Sequence, residues 1–217
     1  MKVEIWSDVM CPFCYIGKRK FELALEQFPG KDQVQVEWKS FQLSPDMKTD
    51  PSKSINEYLA EHKGISVAQA KQMNDRVTAM AAEVGLQYDL SKAVVANSFD
   101  AHRLSHFAKK QGRQDAMEER LFKAYFTEGK NTADHETLTA LAVEAGLDAD
   151  QVRTMLSGTE FSEDVNRDIY EANQVGARGV PFFVFNNRYA VSGAQPVQLF
   201  SDVLQKVQNE LNKDGHQ

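Results

Sequence analysis

Strand-like sequence is confined to the two ends of the chain, and this separation limits the ways in which the chain can fold. At the amino-terminal end, apolar and polar residues alternate in Lys2–Ser7 and again in Val34–Phe41. A helical period begins at Pro12 and stops at Pro29-Gly30. Strand, helix and strand in so short a segment predict a βαβ unit, whose crossover implies parallel strands.

The carboxyl-terminal end carries the second block of β character. Val180–Phe185 is apolar throughout, Asn186-Asn187 is a turn signal because Asn tolerates positive φ, and Arg188–Ser192 follows as the second arm of a hairpin. An amphipathic helix begins at Gln195-Pro196. The two ends must meet to complete one sheet, so the predicted fold class is α/β with the order βαβ … ββα.

The middle of the chain is predicted to be a large all-helical insertion. Beyond the loop Ser44–Ser54, no strand pattern appears before the carboxyl-terminal block. Helices are predicted at Ile55–Lys63, Ser66–Val84, Ser91–Gln111, Gln114–Thr127, His135–Ala145, Asp148–Ser157 and Phe161–Val175. We therefore expect a discontinuous domain of residues 1–44 and 173–217, with an inserted helical domain of residues 45–172.

The charge balance argues against a nucleic-acid partner. Lys and Arg number 25 against 31 Asp and Glu, a net charge of -6, and no basic block is present to neutralise phosphates. No stretch approaches the roughly 18 consecutive apolar residues of a membrane-spanning helix. The first residues lack the pattern of a secretory signal peptide. We expect a cytoplasmic protein without a membrane or nucleic-acid partner, as a monomer or homodimer.

The two cysteines of the chain form the run Cys11-Pro12-Phe13-Cys14. Pro12 is favoured at the first position of a helix, which makes Cys11 the N-cap. Its sulfur then faces unpaired N–H groups and the positive end of the helix dipole, which favours the thiolate, the attacking species. Cys14 follows one turn later on the same face. We expect Cys11 to be the exposed nucleophile and Cys14 the covered thiol that resolves a mixed disulfide.

Two other interpretations of the cysteine pair stay open at this point. A structural zinc site needs about four Cys or His ligands, and no His pair lies at a suitable spacing, so no metal is expected. The two cysteines could also be inert buried residues.

A second constellation is Gly179-Val180-Pro181, at the start of the apolar strand. An ordinary trans proline would start an edge strand. A cis Val180–Pro181 bond would instead let Val180 present its N–H and C=O groups to an extended substrate segment. The residues alone do not decide between the two.

The whole pattern resembles the thioredoxin superfamily, more closely its DsbA-like group, and is most similar to the cytoplasmic FrnE-type dithiol–disulfide isomerases. The matching stretches are Ser7–Cys14, Asn97–Leu104, Gly179–Phe183 and Ala190–Gln195. The resemblance implies a thioredoxin fold with a helical insertion, a redox-active disulfide at Cys11 and Cys14, and a cis proline at Pro181. It also implies substrate contacts at Pro12, Phe13, Val180 and Pro181. It implies no cofactor beyond that disulfide, with glutathione as an optional co-substrate.

One position departs from the pattern of the superfamily. Many thioredoxin-like proteins carry a buried carboxylate six residues before the first cysteine, where this chain has Ile5. Asp8 and Glu4 are the candidates to replace it in proton transfer, against the simpler interpretation of a loop Asp and a solvated strand Glu.

Three further charged residues have simpler interpretations that we favour. One of His102 and Arg103 could lie over the Cys11 sulfur and stabilise its thiolate or hold substrate, but a packing histidine and an inter-helix salt bridge are expected instead. Lys39 is expected to be a solvated strand residue.

The leading functional hypothesis is a thiol–disulfide oxidoreductase or isomerase that acts on thiol- or disulfide-containing proteins or small molecules. One alternative is a glutathione-dependent isomerase or transferase of the hydroxychromene-carboxylate isomerase or kappa type, whose members usually have serine at the position of Cys11. The other is a redox-switched chaperone or binding protein, in which the cysteine pair senses oxidant.

Overall fold

The computed structural model describes residues 1–214, and a four-stranded sheet formed by both ends of the chain is its centre. The strands of this sheet are β1 (Lys2–Ser7), β2 (Gln35–Ser40), β5 (Phe182–Phe185) and β6 (Tyr189–Ser192), in the spatial order β2-β1-β5-β6. The helices that flank it in sequence are α1 (Pro12–Glu26) and α9 (Val197–Asp214). The predicted α/β class and the meeting of the two ends are confirmed.

The amino-terminal half of the sheet is the predicted βαβ unit. Strands β1 and β2 pair in parallel, with Lys2 opposite Gln35 and Ser7 opposite Ser40. Helix α1 is the crossover between them and contacts α9 on the same side of the sheet. Because β1 ends at Ser7, the segment that leads into the cysteine run leaves from the carboxyl edge of a central strand.

The carboxyl-terminal half is the predicted hairpin. Strand β5 pairs antiparallel with both β1 and β6. Asn186 and Asn187 connect its two arms with φ of 50° and 55°, and the Arg188 N–H donates to the Phe185 carbonyl at 2.9 Å. Two consecutive positive φ values are the backbone of a type I′ turn, which matches the twist of the flanking strands.

The insertion is largely helical, as predicted, but it also contains a short sheet that the sequence pattern did not indicate. Its helices are α2 (Ile55–Lys63), α3 (Val67–Glu83), α4 (Phe99–Lys110), α5 (Gln114–Lys123, continued by a π-turn at Ala124–Glu128), α6 (His135–Glu144), α7 (Ala149–Ser157) and α8 (Ser162–Gln174).

The short sheet consists of β3 (Asp50–Ser54) and β4 (Val94–Val95), which pair antiparallel with an irregular register. The expectation of an all-helical insertion is therefore wrong in this detail, as is the predicted helix start at Ser91. Strand β3 carries no apolar alternation, and β4 is too short to show any period.

The insertion packs on the sheet through β2. Helices α5 and α8 both contact β2. The Trp38 backbone N–H donates to Gln114 Oε1 at 3.1 Å, and Gln114 Nε2 donates back to the Trp38 carbonyl at 3.0 Å. One cluster of buried apolar side chains runs from Val3 on β1 to Leu156 on α7. No helix within residues 1–214 is long and apolar enough to cross a membrane.

Candidate active site around the cysteine pair

The loop after β1 delivers Cys11 to the start of α1, as the sequence predicts. Cys11 is the N-cap of α1 and Pro12 occupies the first helical turn. The Cys11 N–H donates to the Asp8 carbonyl at 2.9 Å, which closes the turn between β1 and the helix. Within the described part of the chain, the Cys11 side chain makes no capping hydrogen bond. Both cysteines are free thiols.

The Cys11 thiol instead faces the carboxyl-terminal block of the chain. Its Sγ donates to the Val180 carbonyl at 3.5 Å, across 169 positions of sequence. The next peptide bond, Val180–Pro181, is cis. Cys11 is only 3% exposed, so the expectation of an exposed nucleophile is wrong. Val180 is half-buried and packs against the core.

Gly17 allows α1 to approach this segment closely. A Cβ atom at Gly17 would lie 2.9 Å from Pro181 Cγ and 3.5 Å from Phe183 Cζ. Real Cβ atoms do not approach carbon atoms to within 3.0 Å. A side chain at this position would therefore push α1 and Pro181 apart.

Cys14 is the more buried thiol of the pair, at 0% exposure, as predicted. Burial raises its pKa well above the ordinary value, and the hydrogen-bonding contact with the Cys11 thiol raises it further. The backbone of Asp8 and the hydroxyl of Ser7 act in the opposite direction. Cys14 is therefore held as a neutral thiol close to Cys11, which is the state expected of a resolving cysteine before it reacts.

The Asp8 carboxylate lies under the loop and is completely buried. Its Oδ2 accepts from the Leu43 N–H at 2.8 Å, and its Oδ1 lies 3.2 Å from His102 Nε2. Burial acts to lower the pKa of His102, but the hydrogen bond and charge of Asp8 outweigh it and raise that pKa. The sequence suggested Asp8 and His102 separately, and the structure brings them together as one buried pair.

Neither of the other positions considered for proton transfer provides a free carboxylate in the core. Ile5 is fully buried among apolar residues, and Glu4 Oε1 pairs with Lys2 at 2.9 Å. Glu4 belongs to a charged cluster that reaches Lys39 on β2.

Lys39 is not the solvated residue that was expected. Its side chain is 10% exposed and pairs with Asp168 at 3.1 Å and Glu171 at 2.8 Å. Burial acts to lower its pKa, but these two carboxylates raise it above the ordinary value. The charges of helix α8, which the periodicity of β2 does not reveal, explain the difference.

Arg103 contributes to packing of the insertion. Its guanidinium pairs with Asp100 at 2.7 Å and donates to the Met155 and Gly158 carbonyls, both at 2.7 Å. The expected salt bridge is thus within one helix, and the contacts between helices go to backbone carbonyls at the end of α7.

The surface of the site is apolar. Phe13, between the two cysteines, is 41% exposed, and Pro12 is half-buried beside it. The Tyr88 hydroxyl donates to the Pro12 carbonyl at 2.6 Å, and its ring stacks on Tyr15 and Phe126 with centroids 6.1 and 4.7 Å apart. The sequence analysis missed Tyr88, because 76 positions separate it from Pro12 and no local motif surrounds it.

Within residues 1–214, no group of three or more His, Cys, Asp or Glu side chains is placed to hold a metal ion.

The chain is similar to known proteins over almost its whole length. Residues 2–205 match the family model of the DSBA-like thioredoxin domain. The chain belongs to the DsbA-like family. An uncharacterized protein of Bacillus subtilis, YwbO, is 30% identical, over 96% of this chain and 98% of its own length. This relationship and the four-stranded sheet confirm the predicted thioredoxin fold with a helical insertion.

Two solved structures show how far the likeness of this DsbA-like protein extends. A probable DsbA oxidoreductase from Streptomyces coelicolor is 42% identical, with a TM-score of 0.91 over 97% of this chain and 91% of that one. A 2-hydroxychromene-2-carboxylate isomerase has a TM-score of 0.69 over 100% and 98% of the two chains, but only 16% identity. The second likeness concerns the fold alone, so the chemistry has to be argued from the site residues.

Proposed function

We propose that this DsbA-like protein is a thiol–disulfide oxidoreductase that works through a Cys11/Cys14 dithiol–disulfide couple. The observation that carries the proposal is the arrangement of the two sulfurs: Cys11 lies under the Val180 carbonyl at 3.5 Å, with the buried Cys14 thiol in contact behind it. Both sulfurs are buried, but Cys11 stands at the N-cap of α1 and Cys14 lies one turn inside the helix, and these positions support unequal roles, with attack on substrate by Cys11 and resolution by Cys14.

The reaction conserves electrons between the protein and one substrate disulfide. The Cys11 thiolate attacks a substrate sulfur, so that a mixed disulfide forms and the other substrate sulfur leaves as a thiolate. Cys14, after losing its proton, attacks Cys11 Sγ and displaces the second substrate thiolate. The dithiol has then lost two electrons and the substrate has gained them, and the reverse sequence oxidises a substrate dithiol.

The surroundings of Cys11 support an extended protein segment as substrate. The Val180 carbonyl lies next to Pro181, just before the start of β5, where it can accept a hydrogen bond from an added main-chain segment. The exposed Phe13 ring, between the two cysteines in sequence, gives an apolar contact for such a segment. Pro12 and Val180 complete the proposed substrate surface.

The assay that tests the proposal is reduction of insulin by dithiothreitol. We expect Cys11→Ser to abolish catalysis, because the attacking sulfur is lost. Cys14→Ser is the comparison variant: it removes only the resolving thiol, so catalysis should also be lost while Cys11 still forms a mixed disulfide with substrate. Full catalysis by Cys11→Ser would refute the assignment of Cys11.

The direction of electron flow forms a second part of the proposal. We infer an isomerase or reductase of the FrnE type in the cytoplasm, which requires an intermediate or low reduction potential for the pair. Equilibration with glutathione buffers of stated composition, followed by acid quenching and thiol counting, measures that potential. A strongly oxidising pair would contradict a cytoplasmic isomerase.

Glutathione-dependent isomerisation is the alternative to test, because a chromene-carboxylate isomerase has the same fold. The two proposals differ in the need for Cys14. Turnover of an aromatic substrate with glutathione would survive Cys14→Ser, whereas reduction of protein disulfides through an internal disulfide would not.

A further inference from the structure

Ser7 is a buried polar residue that the proposed exchange reaction has not yet used. It is the last residue of β1, and it is 2% exposed. Across residues 1–214, its hydroxyl has no hydrogen-bond partner. A buried hydroxyl without a partner loses its bonds to water and gains none in return, so its retention at this position calls for an explanation.

The hydroxyl of Ser7 lies beside the Cys14 sulfur. Burial and the Cys11 contact raise the pKa of Cys14, while the Asp8 backbone and the Ser7 hydroxyl lower it. A neutral thiol is a weak acceptor, so the hydroxyl forms no well-aligned bond in the dithiol state. A thiolate is a strong acceptor, and bonds to charged groups are the stronger class.

The carboxylate nearest in sequence is already engaged. Asp8 Oδ2 accepts from the Leu43 N–H and Oδ1 contacts His102, so each oxygen already has a partner. Ile5 supplies only apolar surface. The hydroxyl of Ser7, in contrast, has no other partner among the described residues and is in contact with Cys14.

We propose that the Ser7 hydroxyl donates a hydrogen bond to the Cys14 thiolate as that thiolate attacks Cys11. This inference rests on the proposed function and assigns a further catalytic group to its second step. Cys14 loses its proton, which the released substrate thiolates take up in the overall balance, the Cys14–Cys11 sulfur bond forms, and the bond between Cys11 and the substrate sulfur breaks. The substrate sulfur leaves with the electron pair as a thiolate.

A single-turnover reaction of the reduced protein with dithiobis(nitrobenzoate) separates the two steps. Attack by Cys11 releases one coloured thionitrobenzoate, and attack by Cys14 on the mixed disulfide releases the other. We expect Ser7→Ala to slow the second phase about tenfold, the effect of one hydrogen bond to a charged group, and to leave the first phase within about twofold. Ser7→Thr, which keeps the hydroxyl, should restore the second phase.

Ser40→Ala is the matched control. Ser40 lies opposite Ser7 in the parallel register and is equally buried, but its hydroxyl contacts His106 Nε2 at 3.2 Å. The ratio of the rates of the two phases should stay at its wild-type value in this variant. Near-ultraviolet circular dichroism checks that each variant is folded.

Three outcomes would overturn the role of Ser7. The rate of the second phase in Ser7→Ala could stay within about twofold of wild type, or both phases could be slowed equally. The third outcome is a folded Ser7→Thr variant that does not restore the rate of the second phase. If Ser7→Thr does not fold, the phase ratio of Ser7→Ala alone decides. Failure of the proposed function is detected by a different experiment, because insulin reduction would then survive Cys11→Ser.

Discussion

Replacement of Gly17 by alanine tests whether close contact between α1 and Pro181 is needed for activity. The Cβ of alanine would lie 2.9 Å from Pro181 Cγ, so one of the two must move by about 0.5 Å to reach the 3.4 Å of ordinary contact. Overpacking of this kind costs about 1–3 kcal/mol. Alanine in a helix interior returns about 1 kcal/mol relative to glycine. The net loss of unfolding free energy should therefore be about 0–2 kcal/mol.

The activity should respond more strongly than the stability. Pro181 follows Val180, whose carbonyl accepts from the Cys11 thiol, so a shift of Pro181 moves this carbonyl relative to the sulfur. A misplacement of about 1 Å can cost about a hundredfold in rate, so we expect about a tenfold loss here. Urea denaturation measures the stability, and insulin reduction by dithiothreitol measures the activity.

Gly158→Ala is the matched control for Gly17→Ala. A Cβ at Gly158 would meet only carbonyl oxygens at 3.9 Å, and its φ of -103° suits any residue. Stability and activity should both stay close to wild type. If Gly17→Ala proves about 1 kcal/mol more stable and fully active, helix propensity alone governs the position and the packing argument is refuted.

Three further predictions follow from the same site. Tyr88→Phe removes the hydroxyl that donates to the Pro12 carbonyl and should lower the unfolding free energy by about 1 kcal/mol in urea; an unchanged value would contradict the contact. His102→Gln breaks the buried pair with Asp8 and should cost about 3 kcal/mol in mild acid. The pKa of His102 is raised from 6.5 in the folded state, so the difference in unfolding free energy between wild type and His102→Gln is largest below pH 6.5 and becomes smaller as pH rises. If denaturation curves show that this difference grows with pH, the pairing is refuted. Phe13→Ser should leave stability within about 0.5 kcal/mol but slow reduction of insulin more than that of dithiobis(nitrobenzoate); equal effects on both substrates would exclude Phe13 as a protein contact.

The parts of the fold that were predictable depend on local signals. Alternation identified β1 and β2, and the paired asparagines at 186 and 187 identified the turn, because each pattern lies within a few residues of the structure it specifies. Cys11 was recognised as an N-cap for the same reason, since Pro12 stands directly after it. The short ribbon of β3 and β4 has no such signal, because its pairing joins residues about 40 positions apart without an apolar period.

The surroundings of the cysteine pair were less predictable because they come from distant parts of the chain. His102 reaches Asp8 across 94 positions and Tyr88 reaches Pro12 across 76. The contact between Cys11 and the Val180 carbonyl spans 169 positions. Residue types suggested a reactive pair, but only the packed structure defines which groups cover it.

Trapping of the mixed disulfide tests the central claim most directly. Reduced Cys14→Ser protein is incubated with a disulfide-containing protein substrate, quenched with acid, and analysed by intact mass and peptide mapping. We expect an adduct in which one substrate chain is joined to Cys11, because no resolving thiol remains on the protein, and no adduct with Cys11→Ser under the same conditions. An adduct carried by Cys14, or equal trapping by both variants, would contradict the assignment of Cys11 as the attacking sulfur.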